Sequence, residues 1–249
     1  MEQQPGQGNA ENPQNEGINV QGQNKKKKQY YGKIFVGIII TVIIIQYYCY
    51  VFELMIGSMT SSNKTTIFIL IFIFNFFLIM MLWSFYTTMD TRPGEIPLYW
   101  GFYIGDDDYK RKRYCLICNA FKPERCHHCS VCNVCILNMD HHCPWVDNCI
   151  GFYNRKFFMI LLFYVSCLLI FYVCSGFYFI IEYIKEFINL GSLYPHKFRA
   201  IISVLGYMFA VILSSLLIPF YKFHITLVLN NSTTIESLEK EQANENLKV

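Results

Sequence analysis

Cysteine and histidine residues are concentrated in one short stretch of the chain. Eight of the eleven cysteines and four of the six histidines lie between Cys115 and Cys149. Repeated C-x2-C steps indicate zinc, which thiolates and imidazoles bind in tetrahedral sets of four. The stretch is too poor in apolar residues to fold on a hydrophobic core, so metal binding would supply its folding free energy. The candidate ligands are Cys115, Cys118, Cys126, His127, His128, Cys129, Cys132, Cys135, His141, His142, Cys143 and Cys149.

These twelve candidates exceed the eight ligands that two closed, four-coordinate sites need. Since closed sites leave no coordination position open, any chemistry falls to residues outside them. Alternate side chains of an extended segment face opposite ways. If His142 turns to a zinc ion, His141 and Cys143 share the other face, where the imidazole could activate the thiol as a nucleophile. Asp140 could then fix the tautomer of His141. On spacing alone, Cys143 could equally be one more zinc ligand.

Four long apolar runs without charged residues flank this stretch. Each is long enough for a helix that crosses the hydrocarbon core, which takes about 20 residues. Of the 249 residues, 53% are hydrophobic and only 16% are charged, so too little amphipathic sequence remains to coat four buried core helices. The sequence therefore predicts an all-α polytopic membrane protein with four transmembrane helices and a two-zinc, cysteine-rich domain between helices 2 and 3. The runs lie between Lys33 and Glu53, Lys64 and Asp90, Lys156 and Glu182, and Arg199 and Lys222.

The distribution of basic residues predicts the orientation of these helices. With four spans, both termini and the central loop share one face, which carries 17 of the 21 Lys and Arg residues, against 4 on the other face. The positive-inside rule places the termini and the central loop in the cytosol. Thiols stay reduced in the cytosol, so disulfides are not expected in the cysteine-rich stretch. The net charge of +3 is too small to indicate nucleic-acid binding.

The segment Asp140-His141-His142-Cys143 within this stretch resembles the DHHC protein S-acyltransferases, or palmitoyltransferases. After the fourth span, the segment 233–236 matches the family's Thr-Thr-x-Glu motif. After the second span, Arg92 replaces the Asp of an Asp-Pro-Gly motif, a change that concerns local packing and not the chemistry. Further matches at the family's spacing are Cys115-x2-Cys118, Lys122-Pro123-x-Arg125, His128-Cys129-x2-Cys132-x2-Cys135, Pro144-Trp145-Val146, Asn148-Cys149-Ile150-Gly151, Asn154 and Phe158.

The resemblance implies a ligand pairing and a set of catalytic residues. Cys143 would be the nucleophile, His141 its base and Asp140 the residue that holds the base. Cys126 occupies a variable position of the family and is interpreted as a bystander. One zinc ion would take Cys115, Cys118, His128 and Cys135, and the other would take Cys129, Cys132, His142 and Cys149.

The resemblance also implies a reaction. Cys143 would accept a long-chain acyl group from acyl-CoA as a thioester and pass it to cysteines of membrane-associated substrate proteins, with palmitoyl as the expected group. CoA is polyanionic, so cationic side chains should hold its phosphates; Lys122 and Arg125 are the first candidates, followed by Arg155 and Lys156. The expected partners are acyl-CoA, substrate proteins with cytosolic cysteines and the lipid bilayer, without nucleic acid. The expected location is the endomembrane system or the plasma membrane.

The predicted domain boundaries follow the charges. We expect a disordered cytosolic N-terminus (1–32), helices 1 and 2 (33–89), the cytosolic zinc-binding domain (90–156), helices 3 and 4 (157–222) and a cytosolic tail (223–249). Two other classes of function stay open: a zinc-binding membrane adaptor without chemistry, and a transporter with a cytosolic metal sensor. Transporters commonly carry ionisable residues within their membrane spans, and the four apolar runs contain no acidic or basic residue, which disfavours transport. The intact segment from Asp140 to Cys143 disfavours the adaptor.

Overall fold

Four long apolar helices dominate the computed structural model, which describes residues 31–97, 100, 113–189 and 194–247. Within these residues, each of the four is long and apolar enough to cross a membrane. The predicted four-helix membrane architecture is confirmed. The predicted disordered N-terminus, apart from its last two residues, lies outside the described residues. The helices are α1 (Tyr31–Ile56), α2 (Lys64–Asp90), α3 (Arg155–Asn189), α4 (Tyr194–Leu229) and a short polar α5 (Thr234–Asn246).

Helix α3 lies at the centre of the bundle and packs against both α2 and α4. The last part of α1, Tyr48–Ile56, is wound as a π-helix and packs against α3 and α4. In the core, the ring of Tyr50 stacks 4.2 Å from that of Phe74. A side chain at Gly206 of α4 would place its Cβ 2.6 Å from the Cβ of Cys49, so α1 and α4 approach closely only because this residue is glycine.

The end of α4 lies beyond the apolar run, because the helix continues past Lys222 to Leu229. Asn231 then adopts a left-handed conformation (φ 47°). Its N–H donates to the Val228 carbonyl (3.0 Å) and that of Ser232 to the Leu227 carbonyl (2.8 Å), which is a Schellman ending. Thr233 begins α5 with a capping box, exchanging hydrogen bonds with Glu236. The chain therefore turns sharply from the membrane helix into the tail.

Three short antiparallel ribbons form the cysteine-rich domain. In the first two, an asparagine follows the second cysteine of a C-x2-C step in a left-handed conformation: Asn119 (φ 52°) and Asn133 (φ 58°). Asparagine tolerates this conformation better than most residues, which allows the tight turns. The ribbons are β1 (Tyr114–Cys115) with β2 (Ala120–Phe121), β3 (His127–Cys129) with β4 (Val134–Ile136), and β5 (His141–Cys143) with β6 (Asn148–Ile150).

Two asparagine side chains join the third ribbon to the membrane helices. The Asn148 amide donates to the carbonyls of Thr88 (3.2 Å), Met89 (3.0 Å) and Thr91 (2.9 Å), at the end of α2. The last carbonyls of a helix lack partners within the helix, so these bonds satisfy them. Asn154, which is fully buried, donates to the Cys149 carbonyl (2.7 Å) and accepts from the Gly151 N–H (2.9 Å). The ribbon is thereby fixed between α2 and the start of α3.

Candidate active site

Two sets of three cysteines and one histidine converge in the cysteine-rich domain. Cross-strand pairing creates the centre of each set, because His128 lies opposite Cys135 and His142 lies opposite Cys149. Within each set, the ligand atoms all lie within 4.8 Å of one another. The structure thus brings together the groupings implied by the resemblance: Cys115, Cys118, His128 and Cys135 in one, and Cys129, Cys132, His142 and Cys149 in the other.

The donor distances fit zinc. Tetrahedral bonds of about 2.3 Å to sulfur and about 2.0 Å to nitrogen place the donor atoms roughly 3.5–3.8 Å apart. The Nδ1 atom of His142 lies 3.5 Å from the Sγ atoms of Cys132 and Cys149 and 3.8 Å from that of Cys129. In the other set, the distances from Nδ1 of His128 to the three sulfurs range from 3.2 to 3.9 Å. Both sets have the composition and spacing of closed structural zinc sites.

The opposite face of β5 carries the residues left outside both sets. His142 belongs to a zinc-type set, whereas the imidazole of His141 interacts with the Cys143 side chain, as the alternation along an extended strand predicts. Nδ1 of His141 lies 2.7 Å from Oδ2 of Asp140. Burial opposes charge on the ring, but the hydrogen bond to Asp140 and the interaction with Cys143 outweigh it and raise the pKa of His141 to about 9. The His141 imidazole therefore lies between a buried carboxylate, that of Asp140, and the thiol of Cys143, and interacts with both.

Asp140 is held by two helices as well as by its own ribbon. Its carboxylate accepts the N–H of Thr234 (3.0 Å) at Oδ1 and the Thr234 hydroxyl (2.7 Å) at Oδ2, both from the start of α5. Nη2 of Arg155, at the start of α3, lies 3.6 Å from Oδ1. Although burial disfavours the charged carboxylate, the bonds from His141 and Thr234 lower the pKa of Asp140 to about 2. Asp140 is therefore a carboxylate with a fixed orientation.

The thiol of Cys143 lies where the cysteine-rich domain meets the apolar core of the bundle. Cys143 is 6% exposed and belongs to the same apolar cluster as Val146, Phe158 and Leu162. The His141 ring packs edge-on against Phe158, 5.3 Å between centroids. A group attached to this sulfur would consequently lie next to the membrane-spanning helices.

Comparison with known proteins agrees with this geometry. Residues 108–241 match the family described as DHHC palmitoyltransferase. The chain belongs to this family. It is 34% identical to Probable protein S-acyltransferase 12 of Arabidopsis thaliana, over 84% of this chain and 76% of that protein. It is also 34% identical to Probable protein S-acyltransferase 14 of the same plant (84% and 75%) and 32% identical to Palmitoyltransferase ZDHHC20 of Homo sapiens (79% and 60%).

The Thr-Thr-x-Glu segment of this DHHC protein starts α5 and also contacts the zinc-binding domain. Besides the bonds from Thr234 to Asp140, Glu236 accepts two hydrogen bonds from Arg125, 2.6 Å from Nε and 2.9 Å from Nη2. This guanidinium holds the pKa of Glu236 below its usual value. The segment therefore ties the tail to the zinc-binding domain at two points.

A polar cleft of about 520 Å³ lies beside this contact. Lys122 and Arg125, which sequence reasoning suggested for the CoA phosphates, both line it, together with Arg113. Cys126 also lines it, outside both zinc-type sets, and burial raises the pKa of its thiol to about 11, against the opposing effect of Lys122. A thiol with this pKa is a poor nucleophile, which agrees with its interpretation as a bystander.

One residue at the site was missed from the sequence, and the structure also gives the surroundings of two suggested CoA contacts. His224, on α4, was not proposed, yet its ligand atom lies within 4.8 Å of those of Asp140 and His141. A lone histidine after an apolar run carries no signal of this contact. The Nη2 atom of Arg155, which stays a candidate for CoA, donates to the Ser232 carbonyl (2.6 Å) beside Asp140. Lys156 lies over the Phe157 ring, 4.8 Å from its centroid.

Proposed function

We propose that this protein is a membrane-embedded protein S-acyltransferase, which moves a long-chain acyl group from acyl-CoA to cysteines of membrane-associated proteins. One observation carries this proposal: a thiol at the edge of the membrane bundle, Cys143, interacts with the imidazole of His141, which Asp140 holds at 2.7 Å. Family membership supports the same reaction, because the similar proteins are named S-acyltransferases and palmitoyltransferases. Palmitoyl is the group that we expect to be transferred.

The reaction has two steps of the same kind. The Cys143 sulfur attacks the thioester carbonyl of acyl-CoA, its proton passes to His141, and the carbon–sulfur bond to CoA breaks. The departing CoA thiolate takes this proton from His141, which is then neutral and able to accept another. In the second step a substrate cysteine gives its proton to His141 and attacks the acyl group, and the Cys143 thiolate leaves. One thioester replaces another, so the demand falls on positioning and on the nucleophile, which Asp140 supports by orienting His141.

The two Cys3His sets would each hold a structural zinc ion, which supplies folding free energy to a domain that has little apolar core. Because β5 carries His142 to one of these ions, the ion also fixes the direction in which His141 and Cys143 point. The proposed ligands are the eight residues of the two sets. The catalytic residues remain outside them.

The bilayer is part of the mechanism. Each buried methylene of an acyl chain contributes about 0.8 kcal/mol, so the chain favours the apolar surroundings of Cys143. Contacts from the start of α1 (Phe35 to Trp145, 5.1 Å) and of α5 (Thr234 to Asp140) reach the same domain, which supports placing both termini on one side. We propose that this side is the cytosol, in agreement with the distribution of basic residues. The endomembrane system or the plasma membrane is the proposed location.

The decisive experiment incubates the purified chain with labelled palmitoyl-CoA. We expect hydroxylamine-sensitive label on Cys143, lost in Cys143→Ser while both zinc ions remain. His141→Ala should slow labelling and also keep both ions. An unlabelled wild-type chain would refute the proposal and favour an adaptor. Loss of one zinc ion in Cys143→Ser would identify this residue as a ligand.

The proposed phosphate contacts, Lys122 and Arg125, need a separate test. We expect Lys122→Ala to raise the KM for palmitoyl-CoA, but not for palmitoyl-N-acetylcysteamine, which has no phosphate. Arg125→Ala should do the same, although less selectively, because Arg125 also binds Glu236. Equal effects on both thioesters would place these residues outside the phosphate site.

A further inference from the structure

A buried histidine of the fourth membrane helix lies close to the Asp140 carboxylate. Nδ1 of His224 lies 3.9 Å from Oδ2 of Asp140, the same oxygen that binds His141. The rings of His224 and His141 are 5.7 Å apart. Since His224 is only 2% exposed, water does not surround its ring.

The surroundings of His224 would suit an aromatic hydrocarbon ring at least as well. Phe220 lies 4.5 Å from it, Phe158 5.2 Å and Phe223 5.4 Å, between ring centroids. An imidazole in such a place loses its contacts with water, a cost that only polar contacts offset. The approach to Asp140 is the polar contact that distinguishes this residue from its phenylalanine neighbours. Because the 3.9 Å separation exceeds a hydrogen bond, a small shift of α4 or of Asp140 would close it.

The position of Asp140 is consequently determined by three helices. Thr234 of α5 binds both oxygens, Arg155 of α3 lies near Oδ1, and His224 of α4 lies near Oδ2. Displacement of the carboxylate would turn His141, whose imidazole also interacts with Cys143. Any residue that confines Asp140 therefore controls how well the imidazole meets the thiol.

We infer that His224 is a positioning residue of the acyl-transfer site, whose Nδ1 atom confines the Asp140 carboxylate and whose ring supports that of His141. This inference rests on the proposed function and adds to it, because it makes α4 part of the catalytic unit. His224 touches no reacting atom. Its effect passes through Asp140 and His141 to Cys143.

Three substitutions separate the polar contact from the bulk of the ring. In His224→Asn, the side-chain amide occupies the place of Nδ1, whereas in His224→Gln it lies nearer the place of Nε2. His224→Phe retains an aromatic ring without a polar atom. Phe223→Leu serves as the packing control, since it alters a ring packed 5.4 Å from His224 without removing the approach of His224 to Asp140.

The primary readout is the rate at which iodoacetamide alkylates Cys143 in the full chain, followed by mass spectrometry. This rate reports activation of the thiol and does not require acyl-CoA. We expect His224→Phe and His224→Gln to slow it roughly tenfold, because neither can form the hydrogen bond to Asp140 that closing the 3.9 Å gap would give. His224→Asn and Phe223→Leu should stay within roughly threefold of the wild type. Labelling by palmitoyl-CoA should follow the same order through kcat, with KM unchanged and two zinc ions retained.

Several results would overturn the inference. If Cys143 of His224→Phe is alkylated at the wild-type rate, the contact between His224 and Asp140 is not needed. If the alkylation rate falls equally in the Asn, Gln and Phe variants, the effect is one of packing. Loss of a zinc ion from His224→Phe would show that the slower alkylation comes from altered folding or from a lost metal ligand. If the wild type is not acylated but alkylation still follows the expected order, the proposed function fails, whereas the role of His224 in positioning Asp140 and His141 stands.

Discussion

Asn154 gives the sharpest test of how the zinc-binding domain is held on the membrane helices. Its side chain is fully buried, accepts from the Gly151 N–H (2.9 Å) and donates to the Cys149 carbonyl (2.7 Å). In Asn154→Ala both backbone groups lose their partner in a place that water does not reach. Each unsatisfied buried group costs about 1–3 kcal/mol, so we expect the free energy of unfolding to fall by about 3 kcal/mol.

Asn148→Ala is the matched control. Its amide donates to three carbonyls at the end of α2, but the residue is only half-buried, so water can replace it and we expect a loss of about 1 kcal/mol. For a chain of this size, about 1 kcal/mol corresponds to roughly 2–4 °C in the unfolding temperature. Asn154→Ala should therefore unfold about 6–12 °C below the wild type, and Asn148→Ala about 2–4 °C below it.

The assay is thermal unfolding of the full chain in one detergent at one scan rate, because membrane proteins often unfold irreversibly. Asn154→Asp should be at least as destabilising as Asn154→Ala, since it faces the Cys149 carbonyl with a carboxylate. Equal shifts for Asn154→Ala and Asn148→Ala, or a shift below about 2 °C for the former, would refute the reasoning from burial.

The remaining predictions concern the tail contact and the surplus cysteine. A double-mutant cycle of Arg125→Ala and Glu236→Ala should give a coupling of about 1 kcal/mol in unfolding free energy, because the pair is doubly bonded but partly exposed; a coupling near zero would remove its structural role. The pKa of Glu236 is lower in the folded chain than its usual value of 4.5. The stability that the ionised carboxylate contributes to the fold is therefore complete above pH 4.5 and is lost as the pH falls through the pKa of the folded chain. The difference in unfolding temperature between wild type and Glu236→Gln should hence narrow below pH 4.5, and a constant difference from pH 7 to 4 would contradict this. Cys126→Ala should keep two zinc ions by elemental analysis, and a single ion would make it a ligand.

Local sequence pattern predicts the four membrane helices and which residues of β5 share a face. The four apolar runs predict the four membrane helices because the hydrocarbon core imposes one requirement, an uninterrupted apolar length of about 20 residues. The alternation in His141-His142-Cys143 predicts which residues share a face because a strand has a period of two. The length of an apolar run does not predict the residue at which a helix ends. Helix α4 continues past Lys222, since a lysine can reach the membrane surface from within a helix.

Chain composition and spacing thus determined that this is a four-span membrane protein with a zinc-type domain and a cysteine–histidine pair. Only the tertiary structure decided what surrounds that pair. Thr234 and His224 are far from Asp140 along the chain, and they meet it because α4 returns to the domain and the Schellman ending turns α5 onto the carboxylate. No periodicity encodes such contacts. They depend on how helices pack across long sequence separations, and this packing decides which histidines and cations lie against the Asp140 carboxylate.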